Sequence, residues 1–266
     1  MGERFSVQDS LTQPMMKKWL DDGREFRIFE EIDSTNRYAK DWAAQGAPSG
    51  ALVVAERQSA GRGRKGRSWL GEAGEAVAMS YILRPGDVPG GVQTVTLVAA
   101  VAVALAVEEL CGETCRIKWP NDVWMKGKKL CGILTELVSG LQGGLYVVVG
   151  IGVNVHQTTF PEEISEIATS IYRSTGKRIC RGELIASICH YLDQLLEDWA
   201  QRGFAAVAAL YRPRMALLGE WVTLTNADHV QKMKLTGVGN NGSLEGLDEN
   251  GEPICVISGE VTVRRM

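Results

Sequence analysis

The chain has 266 residues, 45% of them hydrophobic and 23% charged, with a formal net charge of -3. That is enough apolar chain for one sizeable core plus a smaller second unit, and a slightly acidic whole excludes a molecule-wide basic footprint for nucleic acid. The six cysteines include no C-x-x-C pair and the N-terminus has no signal-peptide pattern, so a reducing cytoplasm is the expected compartment.

In chain order, QPMMKKWL within the first 25 residues predicts a short helix, and FRIFEEI (26–32) reads as a strand. DST then supplies cap-forming side chains for a helix through NRYAKDWAAQ, stopped by Gly46 and Pro48. ALVVAERQ (51–58) is the next strand, and GRGRKGR (61–67) follows, with four positive charges and three glycines in seven positions. AVAMSYILRP (76–85) is a further strand, closed by a Pro-Gly turn. LVAAVAVALAV (97–107) is the most apolar stretch; eleven residues fall short of a bilayer's roughly 30 Å apolar layer, so it reads as a buried helix. CRIKW (115–119) is a short strand running into the turn PND, and KKLCGILTELVS (128–139) with LYVVVGIGVNV (145–155) predicts a hairpin across Gly143 and Gly144. From Gly182, apolar residues at 184, 185, 188, 192, 195, 196 and 199 mark an amphipathic helix, followed by a second helix to about Tyr211 before Pro213. After Leu218, short strands separated by Asn-Gly turns fit a small antiparallel barrel.

His156, His190 and His229 stand apart from any nucleophile or metal-ligand spacing, so triad and metal-hydrolysis chemistry lack support and no metal ligands are assigned. The basic loop lies between two strands. Its glycines let backbone N–H groups approach a ligand while Arg62, Arg64, Lys65 and Arg67 supply charge for phosphate or carboxylate oxygens. It lacks the G-x-x-x-x-G-K-[ST] spacing and no helix follows it, which excludes the NTPase phosphate loop; a solvated charge run remains the competing reading. Ser34 or Thr35 could equally cap the following helix, Lys129 could be a solvated lysine of KGKK, and Trp69 and Trp119 could stack on a base or fill the core.

DSTN (33–36), QSAGRGRKGRSW (58–69), KWPND (118–122), KLCGIL (129–134) and GIGVNV (150–155) occur together in the order and approximate spacing of the biotin protein ligases, which the chain resembles from about residue 26 to its end. The resemblance implies an α/β (α+β) fold: a mixed central sheet with flanking helices of class II synthetase-like type over 26–217, preceded by a short segment 1–25 and followed by a small C-terminal antiparallel β-barrel over 218–266. It further implies that biotin and ATP are substrates, joined as biotinyl-5'-AMP with release of pyrophosphate, and that biotin then passes to one lysine of a biotin carboxyl carrier protein domain. By similarity, Ser34, Thr35, Asn36 and Gln58 would contact the ureido ring, and Arg62, Gly63 and Arg64 would close over biotin and the adenylate. Lys129 would lie between the biotin carboxylate and the α-phosphate, which makes Arg62, Arg64 and Lys129 the catalytic set. Arg67, Trp69, Lys118, Asn121, Asn154 and Ser170 would join Arg64 on the nucleotide. Magnesium would accompany ATP, with Asp122 as an outer-sphere partner.

Two departures qualify the resemblance. Some members place a tryptophan ahead of the long helix to pack on adenine, where this chain has ATSI (168–171), so backbone contacts near Thr169 and Ser170 are expected instead. Bifunctional members carry an N-terminal winged helix-turn-helix; about 25 residues before FRIFEEI are too few for one, so no specific DNA binding is expected. No membrane association is expected; the oligomeric state is not fixed by the sequence, and the resemblance makes a homodimer, paired edge to edge through sheets as in many family members, one possible state.

Overall fold

A computed structural model describes residues 9–20, 23–69, 71–84, 86, 92–139, 144–226, 229–257 and 262–265. The elements are α1 (Gln13–Trp19), β1 (Phe26–Ile32), α2 (Thr35–Ala44), β2 (Leu52–Gln58), β3 (Ala76–Leu83), α3 (Val92–Cys111), β4 (Cys115–Lys118), β5 (Asp122–Met125), β6 (Lys128–Ser139), β7 (Leu145–Asn154), α4 (Glu162–Ser165), α5 (Ile171–Thr175), α6 (Arg181–Arg202), α7 (Phe204–Tyr211), β8 (Trp221–Asn226), β9 (His229–Val238), β10 (Leu244–Leu247), β11 (Pro253–Val256) and β12 (Thr262–Arg265).

Strands β1 to β7 form one sheet in the order β1-β2-β3-β7-β6-β5-β4. β1 runs parallel to β2 and the remaining neighbours are antiparallel, so the sheet is mixed as expected. Every residue of β3 is buried, which explains why its sequence is a continuous apolar run rather than an alternation. Leu52, Val54, Tyr81, Leu83, Val147 and Val149 face the main core with α3 and α6. Their neighbours Val53, Ile82 and Val148 pack on the other side against Ala39 and Ala43 of α2. This period-2 split is the signature of a sheet covered on both faces.

The apolar helix is longer than its sequence core suggests. Its segment Thr94–Cys111 has the length and the mean hydropathy, 2.0, of a membrane span, yet 78% of it is buried inside the protein. Packing against α6, β6 and β4 accounts for that hydrophobicity. The β6–β7 hairpin is in register from Cys131↔Val153 to Ser139↔Leu145; its expected turn at Gly143, and the expected turn at Pro85, lie outside the described residues.

The C-terminal strands form an antiparallel sheet in the order β11-β10-β9-β8-β12. Strand content and sense match the expectation, but among the described residues the two edge strands do not pair, so the sheet is open rather than a closed barrel. β10, β11 and β12 have four residues each among the described residues. The Nε1–H of Trp119, buried and outside the cleft, donates to Gly242 O at 3.2 Å. That fixes Trp119 as a packing residue tying the KWPND turn, whose Trp119–Pro120 bond is cis, to the C-terminal sheet.

Candidate functional site

A cleft of about 570 Å³ opens on the sheet beside the start of α2, walled by the basic loop, β6, β7 and the segment from Thr159 to Ala168. Ser34, Thr35, Asn36, Gln58, Arg62, Gly63, Arg64, Arg67, Trp69, Asn121, Lys129 and Asn154 all line it. Residues spread over 120 positions of chain thus converge because β7 inserts between β3 and β6.

At the α2 end, Ser34 occupies the N-cap position but its hydroxyl makes no capping bond. The cap comes from β2: Gln58 Oε1 accepts from Thr35 N at 2.8 Å and from Thr35 Oγ1 at 3.0 Å. Asn36 is buried, and its Nδ2 donates to Glu136 Oε2 at 2.8 Å and Leu134 O at 3.3 Å. Ser80, fully buried on β3, lies 2.6 Å from Asn36 Oδ1, to which it donates, and 2.8 Å from Thr35 Oγ1. Lys40 Nζ stands 2.8 Å from Glu136 Oε1. Burial alone would raise the Glu136 pKa; hydrogen bonds from Lys40 and Asn36 and the charges of Lys40 and Arg62 outweigh it and hold the carboxyl below its ordinary value. Ser80, Lys40 and Glu136 are missed by sequence reasoning, since none belongs to a motif.

The basic loop folds back on itself. Arg62 and Ser68 form an antiparallel bridge, Gly63 N donates to Arg67 O at 2.7 Å, and Trp69 N donates to Gly61 O at 2.9 Å. Lys65 takes a left-handed φ of 57° at the tip. A Cβ on Gly61 would lie 2.5 Å from Trp69 O, so that glycine serves close backbone approach rather than freedom. Arg64 Nη1 donates to Asn121 Oδ1 at 2.8 Å, and Asn121 Nδ2 donates to Asp122 Oδ1 at 3.1 Å. Lys129 Nζ pairs with the same Asp122 oxygen at 2.7 Å. The loop, the PND turn and the β6 lysine are therefore one polar chain on the cleft wall. The Trp69 indole lies over β6 and β7: a Cβ on Gly152 would fall 2.3 Å from its Cε2, and one on Gly132 would fall 3.0 Å from Cζ3. These glycines of KLCGIL and GIGVNV make the slot that the ring fills. Lys129 Nζ sits 5.9 Å from the ring centre, and the buried Nε1 has no hydrogen-bond partner among the described residues.

Beyond Trp69, Asn154 is buried at the end of β7, its Nδ2 donating to Thr169 O at 3.0 Å and its Oδ1 accepting from Gln157 Nε2 at 3.2 Å. The segment carrying Thr169 is tied to β6 through Lys129 N to Ile167 O, 2.7 Å, and Thr169 N to Lys129 O, 2.9 Å. That tie brings Phe160, Pro161, Ile164, Ile167 and Ala168 to the cleft as an apolar wall, which the sequence did not single out.

Two residues from the nucleotide set do not reach the cleft. Lys118 ends β4, and its Nζ lies 5.2 Å from the Trp124 ring centre, on the strand beside it. Ser170 is fully buried as the N-cap of α5; its Oγ accepts from Arg173 N at 2.9 Å and donates to Gln157 O at 2.6 Å. A capping hydroxyl committed on both sides has little left for a ligand. Cys131, two residues from Lys129, is fully buried, and that burial pushes its thiol pKa well up, so it is no nucleophile. No group of three or more His, Cys, Asp or Glu that could hold a metal occurs among the described residues.

A mixed sheet whose cleft joins fixed amide and hydroxyl groups to a cation cluster and an apolar wall defines a binding domain for a small molecule with polar and anionic groups. Residues 28–154 match the Biotin/lipoate A/B protein ligase family. Among curated proteins, the chain is 36% identical over 225 residues to the "Bifunctional ligase/repressor BirA" of Bacillus subtilis, covering 84% of this chain and 69% of that protein. It is 32% identical over 249 residues to the "Biotin--[acetyl-CoA-carboxylase] ligase" of Mycobacterium tuberculosis, covering 90% and 88%. A solved structure of biotin protein ligase from Aquifex aeolicus in complex with biotin and ATP superposes with a TM-score of 0.83 at 33% identity, over 91% of this chain and 99% of that one. The chain belongs to this family, among its biotin protein ligases.

Proposed function

We propose that the protein is an ATP-dependent biotin--[acetyl-CoA-carboxylase] ligase that forms biotinyl-5'-AMP and then biotinylates a lysine of a biotin carboxyl carrier protein domain. The observation that carries the reading is the gathering of five separate motifs on one cleft, in a chain similar to a ligase crystallised with biotin and ATP.

In this reading the fixed groups at Ser34, Thr35 and Gln58 receive the ureido head, where a few preset donors and acceptors orient an otherwise apolar ligand. Arg62, Arg64 and Lys129 stand where a carboxylate must approach a triphosphate, and their charges offset the repulsion that opposes it. The biotin carboxylate oxygen attacks the α-phosphorus. The acyl–phosphate bond forms as the bond to the β-phosphate bridging oxygen breaks, and pyrophosphate leaves with that electron pair. The carrier lysine, as a neutral amine, then attacks the acyl carbon; AMP leaves with the electrons of the C–O bond and the amine proton passes to solvent. Arg67, Trp69, Asn121 and Asn154 line the nucleotide side. Magnesium enters with ATP, held by its phosphates: Asp122, behind the wall, is engaged by Lys129 and Asn121, and the carboxylates that line the cleft are Glu72 and Glu75.

The six free cysteines suit a reducing cytoplasm. The outer edge of β1 ends the sheet order, which suits pairing of two copies edge to edge, checked by sedimentation; that of β4 is taken by Met215 and Ala216. The decisive test follows pyrophosphate release with ATP and either biotin or lipoate. Biotin-dependent release followed by labelling of a carrier domain supports the reading; release equal with lipoate, or absent with biotin, refutes it.

A further inference from the structure

Glu136 and Lys40 do not line the cleft, yet they meet the group most deeply set in its head-binding end. Asn36 has two N–H bonds and spends both, one on Leu134 O and one on Glu136 Oε2. Its Oδ1 accepts from Ser80 and is so closely covered that a Cβ on Gly150 would fall 2.2 Å away. No side-chain N–H of Asn36 remains to donate to a ligand. Its amide is framework: through Ser80 it is joined to the Thr35 hydroxyl, and Thr35 is joined to Gln58.

The frame has one charged anchor. The polarity of the Asn36 amide is set by where its Nδ2 must point, and a carboxylate at 2.8 Å accepts more strongly than a carbonyl at 3.3 Å. Lys40 in turn holds the other carboxylate oxygen at 2.8 Å, with both side chains little more than a quarter exposed. Arg62 of the basic loop also acts on Glu136 by charge. One carboxylate therefore touches α2 twice, through Asn36 and through Lys40.

We propose that Glu136, held by Lys40, is a positioning residue for recognition of the biotin head: it fixes the Asn36–Ser80–Thr35–Gln58 frame without touching the ligand. This rests on the biotin ligase reading. Glu136→Ala releases Asn36 Nδ2 and frees the frame to rotate; Glu136→Gln keeps the oxygen that Asn36 needs but drops the charge facing Lys40 and Arg62. Lys40→Met leaves Glu136 in place with one partner fewer.

The test is steady-state pyrophosphate release by the wild type and the three variants, with KM for biotin and for ATP measured separately and thermal midpoints recorded alongside. The expected result is a rise in KM for biotin of about 10- to 100-fold in Glu136→Ala, the scale on which misplaced binding groups act, with KM for ATP within about 2-fold of wild type. Glu136→Gln should recover most of that loss and Lys40→Met should fall between. A merely structural role would lower the thermal midpoint and shift both KM values together, and that outcome overturns the proposal. An unchanged biotin KM in a folded Glu136→Ala overturns it too. No biotin-dependent release by the wild type removes the ligase reading itself and the proposal with it.

Discussion

Replacing Arg181 by methionine is expected to destabilise the protein by about 3–5 kcal/mol, the cost of leaving a buried charge without its partner. Arg181, at the start of α6, has a side chain only 2% exposed. It donates Nη1 to Glu56 Oε2 at 2.7 Å and Nη2 to Glu56 Oε1 at 3.0 Å, and its Nε reaches Asp9 Oδ2 at 3.0 Å. Backbone oxygens of Asp9 and Ala76 accept further bonds, at 2.6 and 3.2 Å. Methionine replaces most of the stem's volume, so packing loss is small and the penalty is electrostatic. Burial would raise the Glu56 pKa, but the hydrogen bond and charge of Arg181, with backbone bonds from Leu11 and Gly74, bring it below the ordinary value. In the variant Glu56 keeps only those two backbone donors. Urea unfolding at pH 7 reads the loss, and Arg181→Met with Glu56→Gln together should regain about half of it, because the Glu56 charge is gone while that of Asp9 stays without its guanidinium partner. The pH dependence follows from the sign of the shift. A depressed carboxyl pKa contributes stability at pH values above the ordinary carboxylate pKa of about 4.3, and that contribution is lost as pH falls through the folded value. The gap between wild type and Arg181→Met should therefore close in acid. A loss under about 1 kcal/mol at pH 7, or a double variant no more stable than the single, would refute the reasoning.

Lys129→Ala should cut biotin-dependent pyrophosphate release by about 10²- to 10³-fold in single turnover, as removal of one charge-stabilising donor does. It also strips Asp122 of its ion pair. Arg64→Gly breaks the bond to Asn121 and opens the loop, so biotinyl-adenylate should escape and label lysines of an unrelated protein on a streptavidin blot; tight retention of the adenylate would count against the role of Arg64. Gly152→Ala puts a methyl 2.3 Å from the Trp69 ring. The shift this forces should cost about 1–3 kcal/mol in unfolding experiments and raise KM for ATP.

Local order was legible wherever neighbours in sequence decide it. The strand-like runs 128–139 and 145–155 on either side of Gly143 and Gly144 predict the β6–β7 hairpin, and the apolar spacing from Leu184 to Trp199 lies on the buried face of α6. The basic loop, Asn121, Lys129 and Asn154 line the cleft together as their motifs suggested. What stayed hidden are the long-range pairings. Asn36 meets Glu136 across 100 positions and Trp119 meets Gly242 across 123, and no local pattern encodes either. At Ser170, where backbone contacts with the nucleotide are expected, the hydroxyl is committed to capping α5, a bond that only the position of the helix reveals. Gln58 showed the reverse: its capping of α2 from another strand freed the Ser34 hydroxyl from that duty.

The insertion of β7 between β3 and β6 also sets a schedule for synthesis. β3 is complete at Leu83, but the partner on its far side begins only at Leu145, so an emerging chain carries one edge of the sheet unpaired for some sixty residues of translation. The slot for Trp69 needs Gly152, and the wall over Lys129 needs Ile167. A nascent polypeptide can therefore hold ligand only after its central strand has docked, and ligand capture by ribosome-bound chains of increasing length would time that docking directly.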